Sequence, residues 1–436
     1  MKLKPYPKYK ESGVQWIGDA PEGWDVQRGK FQFKVIGGYA FPSEDFVEEG
    51  ISLVRIGDVS DGTVDLENCK KLPEDYALTK KYFLLKEKDV LIAMTGATIG
   101  KIGQVPNTKE KMLLNQRVGR VKTKNYSDFY KYVLTADFIK KQIRLIAEGA
   151  AQENISSEQI ESFVIPQIDH LNQKFIVSFL DSKTSQLSKT IEADKRLIEL
   201  LKEKRTALIN HVVTKGLNPK AKMKDSGIEW IGKVPERWEV KRLNKSAYVK
   251  RGASPRPIED PKYFDDNGSY GWVRIEDVTA SDKYLLETFE KLSTLGKSLS
   301  VPLNPGEIFI SIAGSVGKPI ITKIKCCIHD GFVYFQRLKL HPDYLYYIFI
   351  GDEVYKGLGK LGTQLNLNTE TISSIKIPTP PKSEQIKIAE YLDKATSKID
   401  QTIKKIEEKI ELLEEFKKSL IHHVVTGKVD VREAIA

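Results

Sequence analysis

Cysteine is scarce in this sequence, and its few copies are not arranged for disulfides or zinc. The chain contains three cysteines, Cys69, Cys326 and Cys327, and no CxxC pair. An odd number with this spacing argues against a disulfide framework or a zinc cage and is typical of a reducing cytosol. The six histidines also lack the HExxH spacing of a metalloprotease. We therefore predict no metal site and a cytoplasmic location.

Long apolar runs are also absent. No stretch approaches the roughly 18–20 apolar residues that a membrane span needs, and no apolar segment follows the N-terminal lysines of MKLKPYPKYKESG, as a secretory signal would require. A hydrophobic fraction of 40% is typical of globular proteins, and 436 residues exceed one ordinary core, which predicts two or more domains. The net charge of +10 favours an anionic partner such as nucleic acid.

Tryptophan reveals an internal repeat. Four of the five tryptophans lie in two versions of one phrase, SGVQWIGDAPEGW (Ser12–Trp24) and SGIEWIGKVPERW (Ser226–Trp238), which share eight of thirteen positions. We call these the first and second Trp-rich segments. Further matches follow in the same order, at offsets of 212 to 219 residues: LVRIGDV with WVRIEDV, LIAMTGATIGK with FISIAGSVGK, NISSEQIESFVIP with NLNTETISSIKIP, FLDSKTSQL with YLDKATSKI, and INHVVTKG with IHHVVTGK. The period is about half the chain, so we predict a tandem duplication of one unit.

Each copy consists of a Trp-rich segment, a mixed region and a helical tail. The mixed regions contain short runs rich in β-branched and aromatic residues, punctuated by Gly and Pro, which indicate strands. Between them lie helical patterns such as YSDFYKYVLTADFIKKQI (Tyr126–Ile143). We predict an α+β fold, with target domains at residues 1–165 and 216–378 and helical spacers at 166–215 and 379–430.

The tails show apolar residues at heptad spacing with Lys and Glu between them, a pattern typical of a helix that pairs with another helix. Packing of each helix on its own domain is the alternative. Because the order is domain–helix–domain–helix, we predict an antiparallel coiled coil and a pseudo-twofold relation between the two homologous domains. The predicted interface residues are Leu180, Leu187, Ile191, Ile198, Leu201, Leu208, Leu392, Ile399, Ile403, Ile406, Ile410, Leu413 and Leu420.

Two similar domains held apart by helices, together with a basic charge, suit duplex DNA. Two readers at a fixed distance can contact two half-sites about one helical turn, or ~34–36 Å, apart. The two copies have diverged, so their half-sites should differ. A two-headed coiled-coil scaffold that binds proteins rather than DNA is the alternative hypothesis.

The sequence resembles the specificity subunits of type I restriction–modification systems over essentially its whole length. The resemblance rests on the two Trp-rich segments, on RIGDV and TGATIGK, and on IPTPPKSEQIKIAEYLD (Ile377–Asp393) before the second helical tail. The corresponding phrase of the first half, IPQIDHLNQKFIVSFLD, has Asn172 where the family has Glu. A Glu-specific capping role is therefore not expected in that half.

The resemblance implies two target recognition domains and a bipartite, asymmetric DNA target with a non-specific gap. It also implies partners: two methyltransferase subunits that methylate adenine with S-adenosylmethionine, and ATP-driven restriction and translocase subunits that cut DNA. S-adenosylmethionine, ATP and Mg are expected in those partners only, and the specificity subunit itself is non-catalytic.

Catalytic motifs are missing from the sequence, in agreement with that implication. A phosphate-binding loop needs four residues between its glycines and Ser or Thr after the lysine. In TGATIGK, three residues separate Gly96 from Gly100, and Ile102 follows Lys101. The only Pro-Pro, Pro380–Pro381, precedes Lys382, unlike the Asn/Asp-Pro-Pro-aromatic motif of an adenine methyltransferase.

Candidate DNA contacts are basic and amide residues next to the predicted strands, because Arg pairs with guanine and Asn or Gln with adenine. They are Arg55, Lys101, Asn115, Gln116, Arg117, Lys250, Arg251, Arg256, Arg274 and Lys318. We place Lys250, Arg251 and Arg256 on a Gly/Pro-broken loop that enters a groove or is simply solvated. Alternatively, Arg55 and Arg274 form salt bridges with Asp58 and Asp277. Lys101 and Lys318 lie in turns that contact phosphate or are structural only.

The Trp-rich segments are expected to be structural joints rather than base-reading segments, because each precedes a target domain. We predict that Trp16, Trp24, Trp230 and Trp238 pack against the ends of the long helices. The first Trp-rich segment would then lie beside the C-terminal helix, and the second beside the first long helix.

Overall fold

The structure is a computed structural model. It describes residues 4–60, 62–147, 154–351, 353–356, 358, 360–361, 364–365 and 367–433. The chain divides into two compact units. The first unit contains residues 1–194 and 408–436, and the second contains residues 195–407.

Two long helices dominate the helical content of the described residues. They are α5, which spans His170–Lys215, and α10, which spans Lys382–Val425. The other α-helices are short: α1 (Tyr76–Thr79), α2 (Ser127–Thr135), α3 (Asp137–Ala147), α4 (Ser157–Glu161), α6 (Ile275–Ala280), α7 (Thr294–Ser298), α8 (Pro342–Ile350) and α9 (Thr369–Ser374).

The first unit contains a four-stranded antiparallel sheet in the order β10-β9-β12-β4 and a three-stranded sheet in the order β11-β5-β8. Strand β11 runs parallel to β5. Two-stranded pairs join β1 to β2, β3 to β13 and β6 to β7. The strands are β1 (Tyr9–Glu11), β2 (Asp19–Pro21), β3 (Asp25–Arg28), β4 (Phe33–Gly37), β5 (Ile51–Val54), β6 (Val59–Ser60), β7 (Thr63–Val64), β8 (Lys70–Leu72), β9 (Val90–Ala93), β10 (Ile102–Gln104), β11 (Met112–Leu114), β12 (Val118–Thr123) and β13 (Val164–Gln167).

The second unit repeats this plan. Its main sheets have the orders β17-β25-β22-β23-β19 and β20-β18-β24-β21, and β24 runs parallel to β18. Pairs join β14 to β15, β16 to β28 and β26 to β27. The strands are β14 (Met223–Asp225), β15 (Lys233–Pro235), β16 (Glu239–Arg242), β17 (Tyr248–Arg251), β18 (Tyr270–Val273), β19 (Tyr284–Leu285), β20 (Glu290–Leu292), β21 (Val301–Leu303), β22 (Ile308–Ser311), β23 (Pro319–Thr322), β24 (Cys326–Ile328), β25 (Phe332–Gln336), β26 (Lys360–Leu361), β27 (Gln364–Leu365) and β28 (Lys376–Thr379).

The long helices run antiparallel to each other inside each unit. In the first unit Lys417 Nζ donates to Ser188 Oγ at 2.8 Å, and Lys409 Nζ lies 2.8 Å from Asp194 Oδ2. In the second unit Arg205 Nε donates to Asp400 Oδ1 at 2.9 Å. Polar residues at heptad positions therefore have partners on the facing helix. The predicted class, two homologous α+β domains with paired long helices, is confirmed.

All thirteen residues predicted for the coiled-coil interface are buried or half-buried. Three of them do more than line a helix–helix seam. Leu180 and Leu420 belong to the main apolar core of the first unit, and Leu392 belongs to that of the second unit. The ends of the long helices are thus part of the domain cores.

Each Trp-rich segment packs at the end of a long helix, as predicted. Trp24 is buried, and a Cβ at Gly427, just after α10, would meet its ring at 2.9 Å. Trp238 is fully buried, and a Cβ at Gly216, just after α5, would meet its ring at 3.0 Å. Both glycines have positive φ, +74° in each case, so they end the helices in a conformation that glycine adopts easily.

The helical pattern at Tyr126–Ile143 forms two helices rather than one continuous helix. Ala136, with φ −67° and ψ 151°, is extended and separates α2 from α3. No Gly or Pro marks the break. The break lies within the core of the first unit, where Ala136 and the flanking Leu134 and Phe138 are all buried.

None of the helices formed by the described residues combines the length and apolar character needed to cross a membrane.

Candidate nucleic-acid interface

Four segments of the first unit meet at one side of its sheets, and we call them the first loop edge: residues 38–39, 55–58, 95–101 and 115–117. The centre is the three-residue link between β11 and β12. Its backbone N–H groups at Asn115 and Gln116 donate to the carbonyls of Val54 and Tyr39, both at 3.0 Å. The Met94 N–H donates to the Arg117 carbonyl at 3.0 Å. The edge is therefore held by main-chain hydrogen bonds, which leave its side chains available.

Gly38 lets two of these segments approach each other. A Cβ at this position would lie 2.2 Å from the Asn115 carbonyl oxygen, which no side chain tolerates. The second unit repeats the arrangement, because a Cβ at Gly252 would lie 2.2 Å from the His329 carbonyl oxygen. Sequence reasoning missed both glycines, although each follows the first strand of its main sheet.

The side chains of the 115–117 link face solvent. Gln116 and Arg117 are exposed and Asn115 is half-buried. An amide and a guanidinium side by side on a rigid turn can present paired hydrogen-bond donors and acceptors to base edges. The structure therefore brings the three predicted residues together in one accessible place.

Arg55 and Lys101 belong to the same edge. Arg55 Nε lies 3.5 Å from Asp58 Oδ2, and the side chain is only 35% exposed, so the salt-bridge alternative describes its contacts here. Lys101 is exposed, in the hairpin that joins β9 to β10. Gly96 and Gly100 of that hairpin have φ of +66° and +78°, as a tight turn requires.

The second loop edge comprises residues 252–256, 274–279, 312–318 and 329–331. Its central link, His329–Gly331, joins β24 to β25 as Asn115–Arg117 joins β11 to β12. The Ile312 N–H donates to the Gly331 carbonyl at 2.8 Å, and the Ala253 N–H donates to the Ile328 carbonyl at 3.2 Å.

An acid occupies the middle of this second link. Asp330 accepts from Ser254 Oγ at 2.8 Å and from Arg256 Nη2 at 3.0 Å, while Arg251 Nε donates to its carbonyl oxygen. The Ser254 hydroxyl, followed by the cations of Arg256 and Arg251, holds the pKa of the Asp330 carboxyl below its usual range. Where the first edge presents Gln116, the second presents a carboxylate bound by Arg256, and Arg251 binds the backbone carbonyl of the same residue. Sequence reasoning missed Asp330.

Two of the predicted contacts lie in a strand, not in a loop. Lys250 and Arg251 are the last residues of β17 and pair with Tyr334 and Val333 of β25. The prediction of a loop was wrong for Lys250 and Arg251, because the strand continues to Arg251 and Gly252 follows it. Arg256 does lie in the loop, and its side chain is 72% exposed.

Arg274 forms a salt bridge, but not with the predicted partner. Its Nε donates to Glu290 Oε2 at 2.6 Å, whereas the Asp277 carboxylate accepts the backbone N–H groups of Arg274 and Phe289. Lys318 is half-buried, and its Nζ donates to the Thr279 carbonyl at 3.3 Å. Burial lowers the pKa of this lysine.

The sequence matches a known protein family. The family model of the type I restriction modification DNA specificity domain matches residues 21–202 and again residues 235–412, which is most of the chain. The chain belongs to this family. It is a non-catalytic specificity subunit, and the general role of the family is DNA target recognition.

Individual members of the specificity-subunit family align over most of the chain. The type I restriction enzyme MjaVIII specificity subunit of Methanocaldococcus jannaschii is 25% identical, covering 81% of this chain and 82% of the relative. The crystal structure of the HsdS subunit from Thermoanaerobacter tengcongensis has a TM-score of 0.54 at 17% identity, covering 94% of this chain and 98% of that one.

A chain from a structural study of assembly and conformational transition of the type I R-M system is more similar in fold. It has a TM-score of 0.72 at 16% identity and covers 94% of this chain and 99% of its own length. At such identities the two structures establish a shared fold.

Proposed function

We propose that this specificity subunit binds a bipartite, asymmetric DNA target, with each loop edge reading one half-site. The observation that carries the proposal is the pair of loop edges. Both have the same main-chain frame, including the glycines at 38 and 252, but present different side chains at the central link. A common frame with different chemistry is what two unlike half-sites require.

At the first edge, Asn115, Gln116 and Arg117 are the proposed base-reading residues. Amides suit adenine, and Arg suits guanine, with about 1–3 kcal/mol of discrimination for each good bidentate pair. Lys101, in the neighbouring hairpin, is proposed to contact a DNA phosphate. Arg55 is proposed to support the edge through its ion pair with Asp58 and to contact the DNA backbone with the rest of its guanidinium group.

At the second edge, Arg256 is the proposed base reader, since its side chain is 72% exposed and is held by the Asp330 carboxylate. Asp330 would hold that arginine in a fixed orientation. Its carboxylate would also accept a hydrogen bond from a cytosine amino group. Lys250, Arg251, Arg274 and Lys318 are proposed as phosphate or supporting contacts around it.

Family membership supports a proposal about the partners. We propose that the chain, in the cytoplasm, assembles with two methyltransferase subunits, which use S-adenosylmethionine to methylate adenine in the target. Restriction and translocase subunits, which use ATP and Mg, would cut DNA. The thirteen seam residues of the long helices would pair to form the spacer that sets the gap between half-sites.

The test is to express the chain with its methyltransferase partner in cells lacking other adenine methylation, and to map methylated adenines by long-read sequencing. We expect one split sequence with two defined parts. The chain expressed alone should methylate nothing, and methylation by the isolated chain would contradict the proposal.

Variants then assign the half-sites. Gln116→Ala and Arg117→Ala should relax the sequence requirement in one part of the target only, because their edge belongs to one unit. Lys124→Ala is the control, since this exposed lysine follows the far end of β12. Relaxation of both parts by a single edge variant would show that the edges do not read separate half-sites.

A further inference from the structure

Helix α3 presents three cations to solvent on the first unit. Lys141 and Arg144 are exposed and Lys140 is half-buried, whereas Ile139, Gln142 and Ile143 face inwards. Gln142 fixes the rotation of the helix, because its side chain donates to the Val164 carbonyl at 3.1 Å and accepts the Val164 N–H at 2.9 Å. The cationic face of α3 therefore has a defined direction.

Helix α3 packs against the first loop edge. The hairpin of residues 95–101 lies against α3, since a Cβ at Gly100 would meet Ile143 Cδ1 at 2.5 Å. The exposed Lys101 directly follows Gly100 in the hairpin. The helix that carries the three cations therefore adjoins the hairpin of the first loop edge through its inward face.

Little acidic charge neutralises this face. Within the described parts of the chain, the one ion pair to the three cations is Lys140 Nζ with Asp137 Oδ1, at the long distance of 4.0 Å. A hollow of about 250 Å³ beside the face is lined by Asp137, Lys140, Lys141, Arg144 and His422. Burial lowers the pKa of His422, and the charge of Lys141 acts in the same direction.

In the second unit, the segment that follows α8 is described at residues 353–356, among others, and there it carries one lysine, Lys356. There, the cation of Lys356 lies 2.6 Å from Glu353 Oε2, so it is paired within its own turn. Lys356 therefore differs from the exposed Lys141 and Arg144 of the first unit in having a close acidic partner.

We propose that Lys140, Lys141 and Arg144 bind the phosphate backbone of duplex DNA beside the half-site read by the first loop edge. This inference rests on the proposed function and adds a sequence-independent anchor to one side of the target. Lys and Arg at phosphates release condensed counterions, so such an anchor contributes affinity and salt dependence but no base discrimination.

The test compares the triple variant K140Q/K141Q/R144Q with the unchanged chain, each in complex with its methyltransferase partner. Binding is measured between about 50 and 200 mM salt to one duplex carrying the mapped target and to one scrambled duplex. Each lost phosphate contact should reduce the slope of log K against log salt by about 0.9. We expect a reduction of about 2–3, equal on both duplexes, with the methylated sequence unchanged.

The control variant is K387Q/K394Q/K398Q, which removes three exposed cations from α10 and changes the net charge equally. It should leave the slope nearly unchanged. An unchanged slope in the α3 variant would overturn the inference, as would loss of assembly with the methyltransferase, which would assign this face to a protein partner. Absence of target-selective binding by the unchanged complex would instead contradict the proposed function.

Discussion

Asp330 shows how one residue gives the second loop edge its own chemistry. It occupies the position of Gln116 in a link of equal length, and it fixes the directions of Arg251 and Arg256 through its carbonyl and carboxylate oxygens. A neutral amide at this place would hold the Arg256 guanidinium less strongly, because charge-assisted hydrogen bonds are roughly twice as strong as neutral ones. The acid therefore organises the second edge.

The lowered pKa of Asp330 makes a prediction about pH. A carboxyl group whose folded pKa is below its unfolded value of about 3.9 contributes stability that is present above that value and is lost as pH falls through the folded pKa. Asp330→Asn should therefore lower the Tm relative to the unchanged chain near pH 6. The difference should shrink below about pH 4. Thermal unfolding followed by circular dichroism measures it, and a difference that does not shrink as the pH is lowered below about 4 would contradict the assignment.

At the scale of elements, the second Trp-rich segment is tied to α10 by a polar contact. Glu384, in the first turn of α10, accepts the Trp238 indole N–H at 3.1 Å and two hydrogen bonds from Arg237 Nη2 at 2.9 and 3.0 Å. The first unit has changed both partners, with Gly23 at the position of Arg237 and Asn172 at the position of Glu384. Asn172 instead donates to Asp169.

Removing the acceptor should therefore matter in one unit only. Glu384→Ala leaves the indole N–H of the fully buried Trp238 without a partner, which costs about 1–3 kcal/mol. Asn172→Ala is the matched control and should cost less than about 0.5 kcal/mol, because surface changes away from such features are small. Urea unfolding monitored by tryptophan fluorescence gives the free energy of unfolding of each variant. Equal losses would show that the second Trp-rich segment does not depend on this acceptor.

A second polar contact joins each domain to a long helix, and the two units build it differently. In the second unit Lys283 Nζ lies 2.5 Å from Asp393 Oδ1 on α10 and 2.7 Å from Asp343 Oδ1 on α8, and Tyr347 donates to the same Asp393 oxygen. In the first unit Tyr132 donates to Asp181 on α5 at 2.6 Å, and Lys131 lies 3.2 Å from it.

Lys283→Met should destabilise the second unit by about 2 kcal/mol. It leaves two partly buried carboxylates close together, although their exposure keeps the cost below the roughly 3–5 kcal/mol of a fully buried pair. Lys131→Met should cost less than about 1 kcal/mol, because Asp181 is 51% exposed. Hydrogen exchange resolved to each unit gives the two values, and a larger effect at Lys131 would contradict this comparison.

These elements also show which features of the fold can be predicted from the sequence. The duplication, the long helices and the packing of the Trp-rich segments followed from repeats and heptads, which are local patterns. Lys283 could not be predicted, because its partner on α10 lies 110 residues away. For the same reason the sequence suggested Asp277, three residues from Arg274, as its partner, whereas the fold supplies Glu290 from the paired strand β20. Long-range polar pairs leave no periodic signal.

At the scale of the whole molecule, the spacer hypothesis predicts a change in the DNA gap. Inserting one heptad into the middle of α5 and one at the facing position of α10 keeps the seam and adds about 10 Å of helix. At about 3.4 Å per base pair, the preferred gap should widen by about three base pairs. Methylation mapping measures it. Insertion into α5 alone should abolish target methylation, because the facing residues of α5 and α10 would no longer match. An unchanged gap after both insertions would show that the helices do not set the gap length.

The first described residues contact the segment that follows α10 within the first unit. The Asp430 N–H donates to the Lys4 carbonyl at 2.8 Å, and the Tyr9 hydroxyl donates to the Lys428 carbonyl at 3.3 Å. The repeat places the exposed Leu217 and Asn218 at the corresponding junction of the second unit. In the first unit, segments from the two ends of the described residues therefore lie side by side. A circular permutant starting at Asn218 would exchange the order of the two half-site readers along the polypeptide while keeping every contact described above.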